Sequence, residues 1–257
     1  MARRWTKKEE NHKRKELLKL YVRENMAIGE IAEILRTGES TIYDRLVRLK
    51  IPSLRSQKPN YNNIRRDICI PSIYSGELAE FIGLILGDGH LTPTQVTVTL
   101  GKKDEYVPYV INLIQNLFKI KPKHIILNRG DSVVYFGSTV VVRWLISMGL
   151  AFNKTKSQVD LPAWIFSRKI FMRRALRGLL DTDGSVYRLK FGVQISFTNE
   201  SRPLLASVKK MFSKLGFRPS KISSNHIYLT RRDDLGRFFK EVGFKNKKHQ
   251  KRFLEFY

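Results

Sequence analysis

The chain has few of the features of exported, disulfide-linked or membrane-embedded proteins. Its 257 residues include a single cysteine, Cys69, which excludes an internal disulfide and a multi-cysteine zinc site and favours a reducing compartment. It has no apolar run of the roughly 18 residues that a membrane-spanning helix needs, and residues 1–8 lack the apolar stretch of a secretory signal. We therefore expect a cytoplasmic, organellar or nucleoid-associated protein that is not secreted and has no membrane partner.

Acidic residues are also scarce. Asp and Glu number 23 against 48 Lys and Arg, which gives a formal net charge of +25. Residues 1–66 and the remainder are each basic, so we expect a polyanion that contacts the whole molecule rather than one tail. Nucleic acid is the leading partner. Ribosomal and membrane-surface proteins are equally basic, so charge alone decides no mechanism.

The first 50 residues carry the apolar spacing of three short helices. Helices are predicted over residues 7–24, over Ile28–Leu35 and, after a turn containing Gly38, over Ser40–Lys50. This order resembles a small all-α helix-turn-helix DNA-binding module, and a generic three-helix bundle would give the same pattern. The side chains expected to project towards DNA are Ser40, Thr41, Tyr43, Asp44 and Arg45. Residues 51–75 contain three prolines and little periodicity, so they are predicted to be a linker.

An internal repeat occupies the rest of the chain. Phe81–Gly89 (FIGLILGDG) recurs 95 residues later as Leu176–Gly184 (LRGLLDTDG). The similarity continues: we match the strand Val96–Leu100 with Val193–Phe197, and later helices and strands also correspond. Each copy predicts the order α-β-β-α-β-β-α, with repeat one at 76–163 and repeat two at 164–257. We expect an α+β domain and a monomer with internal pseudo-twofold symmetry.

Small residues recur at fixed places in the repeated element. Gly83 and Gly178 lie inside predicted helices, where glycine costs about 1 kcal/mol relative to alanine, a cost accepted where another backbone must come close. Gly87 and Thr182 follow four residues later, on the same helix face. The spacing therefore predicts two helices packed side by side. Asp88 and Asp183 would end them, each followed by a glycine suited to a left-handed helix stop.

Two carboxylates at neighbouring helix C-termini repel each other and face the negative ends of both helix dipoles. A divalent cation relieves this repulsion. Mg²⁺ is commonly held by one or two carboxylates together with phosphate oxygens of a substrate. Such an ion can activate water and stabilise the leaving oxygen of a phosphodiester, so Asp88 and Asp183 are predicted metal ligands.

The nine-residue element resembles the signature of the LAGLIDADG homing endonuclease family, in its monomeric two-motif form. The resemblance implies a β-saddle over duplex DNA and a site-specific endonuclease that cuts both strands of a long target with Mg²⁺, leaving short 3′ overhangs. Mn²⁺ or Ca²⁺ would be able to substitute. It also implies the carbonyls of Gly87 and Thr182 as further metal ligands. The sixth position differs between the copies (Leu86 and Asp181), and in the family it is not the catalytic acid.

The resemblance further implies one catalytic lysine from each copy. Lys154 and Lys247 are the predicted pair, with Lys156 and Lys248 as rivals and simple phosphate contact as the alternative role. Alternate residues of 92–102 and 187–199 would face DNA. From this part of the chain we predict DNA contacts by Lys102, Arg188, Lys190 and Asn199.

Two other functions compete with cleavage. One is a non-cleaving transcriptional regulator that keeps the fold and binds operators through the helix-turn-helix, and the other is an RNA maturase that assists intron splicing. Retention of both Asp88 and Asp183 favours the endonuclease, since a scaffold gains nothing from two repelling carboxylates. Because the sequence starts at Met1 and ends Phe256-Tyr257 without a His-Asn junction, we expect a free-standing, intron-encoded protein rather than an intein, with no protein partner.

Overall fold

The computed structural model describes residues 6–24, 26, 28–51, 68–102, 105–190 and 192–257. Most of the predicted linker, residues 52–67, lies outside the described residues. The chain divides into two compact units between Asn63 and Ile64. In the described part of the chain, no helix has the length and apolar character needed to cross a membrane.

The first unit consists of short helices around a small apolar core. α1 (Lys7–Leu17) continues as a π-helical segment (Leu18–Arg23), and α2 (Ile28–Ile34) and α3 (Glu39–Arg48) follow. Thr6 and Glu9 form a capping box that satisfies N–H groups at the start of α1. The fully buried side chains Leu17, Ile31 and Ile42 hold the helices together. Each predicted helix is present, and its ends differ from the prediction by one or two residues.

The second unit alternates helices with antiparallel strands. Its first part contains α4 (Gly76–Leu86), β1 (Gly89–Leu91), β2 (Gln95–Lys102), α5 (Val107–Phe118), β3 (Lys123–Ile126), β4 (Asp131–Gly137), α6 (Thr139–Ser147) and the short α7 (Lys154–Ser157). A 3₁₀ turn (Ala163–Ser167) precedes its second part, which contains α8 (Lys169–Thr182), β5 (Gly184–Leu189), β6 (Gly192–Thr198), α9 (Arg202–Lys214), β7 (His226–Leu229), α10 (Arg232–Glu241) and α11 (Lys247–Phe256).

The two sheets differ by one strand. The first has the order β1-β2-β4-β3 and follows the predicted pattern, whereas the second, in the described residues, has β5-β6-β7. Before β7, the backbone N–H of Arg218 donates to Asp234 at 3.0 Å, and Pro219 has no N–H to donate. This stretch joins β7 through the bond from Ser220 N to Tyr228 O (2.8 Å) and through an isolated bridge between Ser223 and His226. The predicted fourth strand of repeat two is therefore replaced by an irregular edge.

Strand register corrects the alignment of the two repeats. β1 pairs Gly89 with Val98, and β5 pairs Gly184 with Phe197, so Val98 corresponds to Phe197. Val96 then corresponds to Ile195 rather than to Val193, as the sequence comparison had it. The cause is a longer β5–β6 hairpin, whose pairing reaches Leu189 and Gly192. A shift of two residues keeps the same side chains facing the core, so hydrophobic alternation could not reveal it.

A buried ion cluster joins the two repeats. Glu80 on α4 has no exposed surface, and its carboxylate accepts hydrogen bonds from Arg177 (3.0 and 2.6 Å), Arg174 (2.9 Å) and the hydroxyl of Tyr109 (2.6 Å). Both arginines come from α8. The acid and its cationic partners thus lie on different repeats, and four donor contacts satisfy a carboxylate that would otherwise be costly to bury.

Candidate metal and nucleic-acid site

The centre of the second unit is the contact between α4 and α8. A Cβ atom added at Gly83 would lie 2.4 Å from the carbonyl oxygen of Ala175, and one added at Gly178 would lie 2.2 Å from the carbonyl oxygen of Glu80. Nearer the C-terminal ends of the two helices, a Cβ added at Gly87 would lie 2.0 Å from Thr182 Oγ1. The helices touch backbone to backbone, so their C-terminal ends are held side by side.

The glycines after the two aspartates have a different role from the one predicted. Neither Gly89 nor Gly184 has a positive φ, so the expected left-handed helix stop is wrong. Each begins a strand that folds back on the helix it leaves. An added Cβ would lie 2.5 Å from the backbone of Ile85 at Gly89, and 2.2 Å from the carbonyl oxygen of Leu180 at Gly184. These positions require glycine because of close backbone approach.

Asp88 and Asp183 occupy matching places at the ends of these helices. The carbonyl of Asp88 accepts from Thr99 N (3.2 Å), and that of Asp183 accepts from Thr198 N (3.3 Å). The Asp183 carboxylate also accepts from Asn199 Nδ2 at 2.7 Å. Burial raises the pKa of Asp183, and the Asn199 hydrogen bond and the nearby charge of Lys154 act in the opposite direction. The structure therefore brings the two acids to one end of the helix pair.

Lys154 lies at this centre. Asn153 caps the short α7 by accepting from Lys156 N at 3.1 Å. Lys154 is the first residue of α7, and its side chain reaches the end of α4. Its ammonium donates to the carbonyls of Ile85 (3.2 Å), Leu86 (3.1 Å) and Gly87. Burial lowers the pKa of Lys154, while the charges of Asp183 and Asp88 raise it. One ammonium thus lies close to both carboxylates and at the negative end of the helix dipole.

The other predicted lysines lie elsewhere. Lys247 is 60% exposed and pairs with Glu105 at 3.3 Å, and Lys156 and Lys248 are exposed. α11 begins at Lys247, because Asn246 accepts from Lys248 N at 3.0 Å. In repeat two, the residue aligned with Lys154 by the 95-residue offset is His249. Sequence reasoning passed over it because it sought a second lysine.

Asp181, the odd residue of the signature, holds the chain that leads into α11. Its carboxylate accepts from the backbone N–H groups of Lys245 (2.9 Å) and Asn246 (3.1 Å). Burial raises the pKa of Asp181 to about 7, although these backbone hydrogen bonds lower it. The side chain is a structural anchor, in agreement with the expectation that this position is not the catalytic acid.

The donor set suits a hard divalent cation. Asp88, Asp183 and the carbonyl of Gly87 are oxygen donors, and the Lys154 ammonium shows that this environment accepts a cation. Within the described ranges no cluster of three or more His, Cys, Asp or Glu residues could hold a metal alone. An ion here would therefore need water or phosphate ligands as well. The Thr182 hydroxyl donates to Gly178 O and Leu179 O, both at 3.0 Å.

The outer faces of the two sheets carry polar side chains together with the exposed Ile125 and Leu189. In sheet one Thr97 pairs with Tyr135, and in sheet two Tyr187 pairs with Gln194, opposite the buried faces. Arg188 pairs with Val193, so the register places it on the face of the buried Val186 rather than on the predicted DNA face. The Arg188 side chain is nevertheless exposed, and its contact with DNA stays a prediction.

The remaining predicted DNA-contacting residues have mixed positions. Asn199 follows the exposed Thr198 and turns inward to Asp183, so it serves the carboxylate rather than the outer face. Lys190 is exposed at the hairpin, and the Lys102 side chain lies outside the described residues. On α3, Ser40 and Tyr43 are exposed, while Thr41 and Arg45 are half-buried. No contact in the structure tests these residues against DNA.

Comparison with known families agrees with the repeat. Residues 171–243, from α8 to the end of α10, match the family model described as a LAGLIDADG-like domain. The first repeat has the same glycine contact and the same terminal aspartate. Residues 171–243 therefore belong to a LAGLIDADG-like domain. Two curated relatives are each 26% identical: the replication factor C small subunit of Methanocaldococcus jannaschii, over 191 residues and 72% of this chain, and a DNA polymerase of Thermococcus hydrothermalis, over 188 residues and 65% of this chain. The matches cover 10% and 11% of those relatives, so the chain spans about a tenth of their length.

Three solved structures are similar to part of this chain. The N-terminal LAGLIDADG domain of DUF199/WhiA has a TM-score of 0.49 at 14% identity, covering 70% of this chain and 89% of that one. The homing endonuclease I-DmoI in complex with DNA and Mn has a TM-score of 0.47 at 18% identity, covering 65% and 96%. I-WcaI bound to its DNA recognition sequence has a TM-score of 0.48 at 11% identity, covering 71% and 88%.

Proposed function

We propose that this LAGLIDADG protein is a metal-dependent endonuclease that hydrolyses one phosphodiester in each strand of a long duplex DNA target. The observation that carries the proposal is the convergence of Asp88, Asp183 and the Lys154 ammonium at the joined ends of α4 and α8. Folding alone gives no reason to place two carboxylates at adjacent negative helix ends. A cation bound there together with DNA phosphates provides one.

The residues have separate parts in the proposed reaction. Asp88, Asp183 and the Gly87 carbonyl would hold Mg²⁺, and Asn199 keeps the Asp183 carboxylate oriented by its 2.7 Å hydrogen bond. Bound Mg²⁺ supplies a water of lowered pKa and charge stabilisation at the leaving oxygen. Lys154 adds a fixed positive charge beside the reacting phosphate, where negative charge increases in the transition state.

The pseudo-twofold arrangement supports cutting of both strands. One carboxylate ends each central helix, so each repeat can address one strand. With the two acids held side by side, the addressed phosphates lie close together across the minor groove, and we propose short 3′ overhangs. The polar side chains on the outer faces of the sheets and the net charge of +25 support a long duplex as the ligand.

The test is cleavage of a randomised DNA target library with Mg²⁺, followed by sequencing of cut ends. Asp88→Asn and Asp183→Asn should each abolish double-strand breaks and leave binding unchanged or tighter, because a negative charge near phosphates is removed. Asp233→Asn, at an exposed acid on α10, is the control and should cut normally. Normal double-strand cleavage by either active-site variant would show that these are the wrong acids.

The regulator reading makes the opposite prediction in the same assay. It is favoured by the α2–turn–α3 arrangement, in which Ser40 and the 59% exposed Tyr43 lie on the outer surface of α3. A wild-type protein that binds a specific duplex tightly and never cuts it with Mg²⁺ or Mn²⁺ would replace the endonuclease by this second function.

A further inference from the structure

The two repeats place different side chains at the same position beside the central helices. Lys154 and His249 are related by the same 95-residue offset as Asp88 and Asp183. The side chains of Lys154 and His249 reach the C-terminal ends of α4 and α8, respectively. The ammonium of Lys154 donates to the Leu86 carbonyl at 3.1 Å, and the ring of His249 makes a hydrogen bond with the backbone of Asp181. Leu86 and Asp181 occupy the same place in the repeat, so Lys154 and His249 contact equivalent positions at the ends of the two helices.

His249 does not supply the charge that Lys154 supplies. Its side chain is 5% exposed, packs against Phe244 at a centroid distance of 5.5 Å, and is at the C-terminal end of α8 together with the Asn246 amide, which donates to the Asp181 carbonyl at 3.1 Å. Burial, with the charges of Lys248 and Arg252, lowers the pKa of His249 to about 4. At neutral pH the ring is uncharged.

Lysines around α11 do not replace the missing ammonium. Lys247 and Lys251 pair with Glu105 at 3.3 and 3.4 Å, and Lys245 lies 5.6 Å above the ring of Tyr109. All three are exposed, as is Lys248. By contrast, the Lys154 ammonium is surrounded by three carbonyls and interacts with the charges of both aspartates.

We infer that, among the described residues, Lys154 is the single ammonium shared by both half-sites, and that the second repeat contributes no lysine of its own to the reaction centre. This inference rests on the proposed endonuclease function. It departs from the expectation of one lysine per repeat and predicts that the two strand cleavages depend together on one side chain. A centre with one lysine per half-site would lose one strand cleavage at a time.

The first experiment follows strand breakage in a supercoiled plasmid that carries the target. Lys154→Met should slow both strand cleavages together by at least about 100-fold, the usual effect of losing a fixed transition-state charge, without accumulation of nicked circles. Lys247→Met is the matched control and should cut both strands as the wild type does. Lys154→Arg, which keeps the charge, should retain more activity on both strands than Lys154→Met. Nicked circles formed by Lys154→Met at the wild-type rate, or by Lys247→Met, would overturn the inference.

The second experiment needs no DNA and uses the full chain. Mn²⁺ binding, followed by electron paramagnetic resonance, should become about tenfold tighter in Lys154→Met, because a like charge beside both carboxylates is removed. Lys247→Met and His249→Gln should leave Mn²⁺ affinity unchanged. An affinity that does not respond to Lys154→Met, with thermal unfolding showing an intact fold, would contradict a shared ammonium. If the wild-type protein never cuts DNA, the proposed function fails, and the Mn²⁺ titration still decides the position of the charge.

Discussion

Replacement of Gly178 by alanine tests the central feature of the fold. The added Cβ would lie 2.2 Å from the carbonyl oxygen of Glu80 and 2.9 Å from Leu84 N, whereas ordinary contact begins near 3.4 Å. The opposing atoms are helix backbone and have no rotamer to change. The helices must therefore separate by about 1 Å, which loosens packing along the whole contact.

The expected size of the effect follows from two opposing contributions. Overpacking of a closely packed contact costs about 1–3 kcal/mol, and a rigid backbone contact belongs at or above the upper end. Alanine in a helix returns about 1 kcal/mol relative to glycine. We expect Gly178→Ala to lower the free energy of unfolding by about 2 kcal/mol, which corresponds to a fall in Tm of roughly 4–8 °C for a unit of this size.

The chain offers a matched control. Gly236 lies in the middle of α10, and its added Cβ would meet only the hydroxyl end of Tyr257, at 2.6 Å. This side chain can move, so Gly236→Ala should be neutral or more stable by up to about 1 kcal/mol. Urea unfolding of both variants measures the difference. Equal free energies of unfolding for Gly178→Ala and Gly236→Ala would refute the backbone-contact argument.

Three further predictions concern other features. Glu80→Gln should lower the free energy of unfolding by about 3 kcal/mol, because Arg177 and Arg174 keep their charges without a carboxylate; a change below about 1 kcal/mol in urea unfolding would show that the cluster is dispensable. The pKa of Asp181 is raised to about 7, so the folded state binds its proton more tightly than the unfolded state and loses stability as pH rises from about 4 to 7. Asp181→Asn should remove this loss. Parallel curves of stability against pH for the variant and the wild type would contradict this prediction. Deletion of residues 1–58 should preserve cleavage at high protein concentration, shorten the DNA footprint on one side and reduce the salt dependence of binding. Arg45→Ala should cause a smaller loss of the same kind. An unchanged footprint would assign the first unit another role.

Much of the second unit could be predicted from its repeated signature. Gly83 and Gly178 are informative because glycine in a helix interior needs a reason, and close approach of a second backbone is the usual one. The presence of four strands in the first repeat also followed from alternation. The missing strand of the second repeat did not, because it depends on the long-range bond from Arg218 N to Asp234.

The structure gives several predicted site residues neighbours that the sequence could not show. Asn199 is of a residue type that often contacts DNA. Its hydrogen bond to Asp183 depends on where β6 ends, which the sequence does not show. Arg188 was assigned to the outer face without knowledge of the pairing of β5 with β6. Lys154 could be singled out from its place after the repeat. Lys247 could not be excluded, because its partner, Glu105, lies 142 positions earlier in the sequence.

The ion cluster at Glu80 also bears on the ancestry and the target of the protein. A duplicated gene first gives two identical halves, which are able to pair with their own copies and suit a palindromic ligand. Here the acid lies on α4, and the two arginines lie on α8. By the repeat offset the counterpart of Glu80 is Ala175, and that of Arg174 is Ala79. A pair of first halves would bury two carboxylates without cationic partners, each with only the Tyr109 hydroxyl among the described donors, and a pair of second halves would bring four guanidinium groups together. The two halves are thus complementary to each other and do not suit a symmetric dimer, so under the proposed function each half is free to recognise a different DNA sequence.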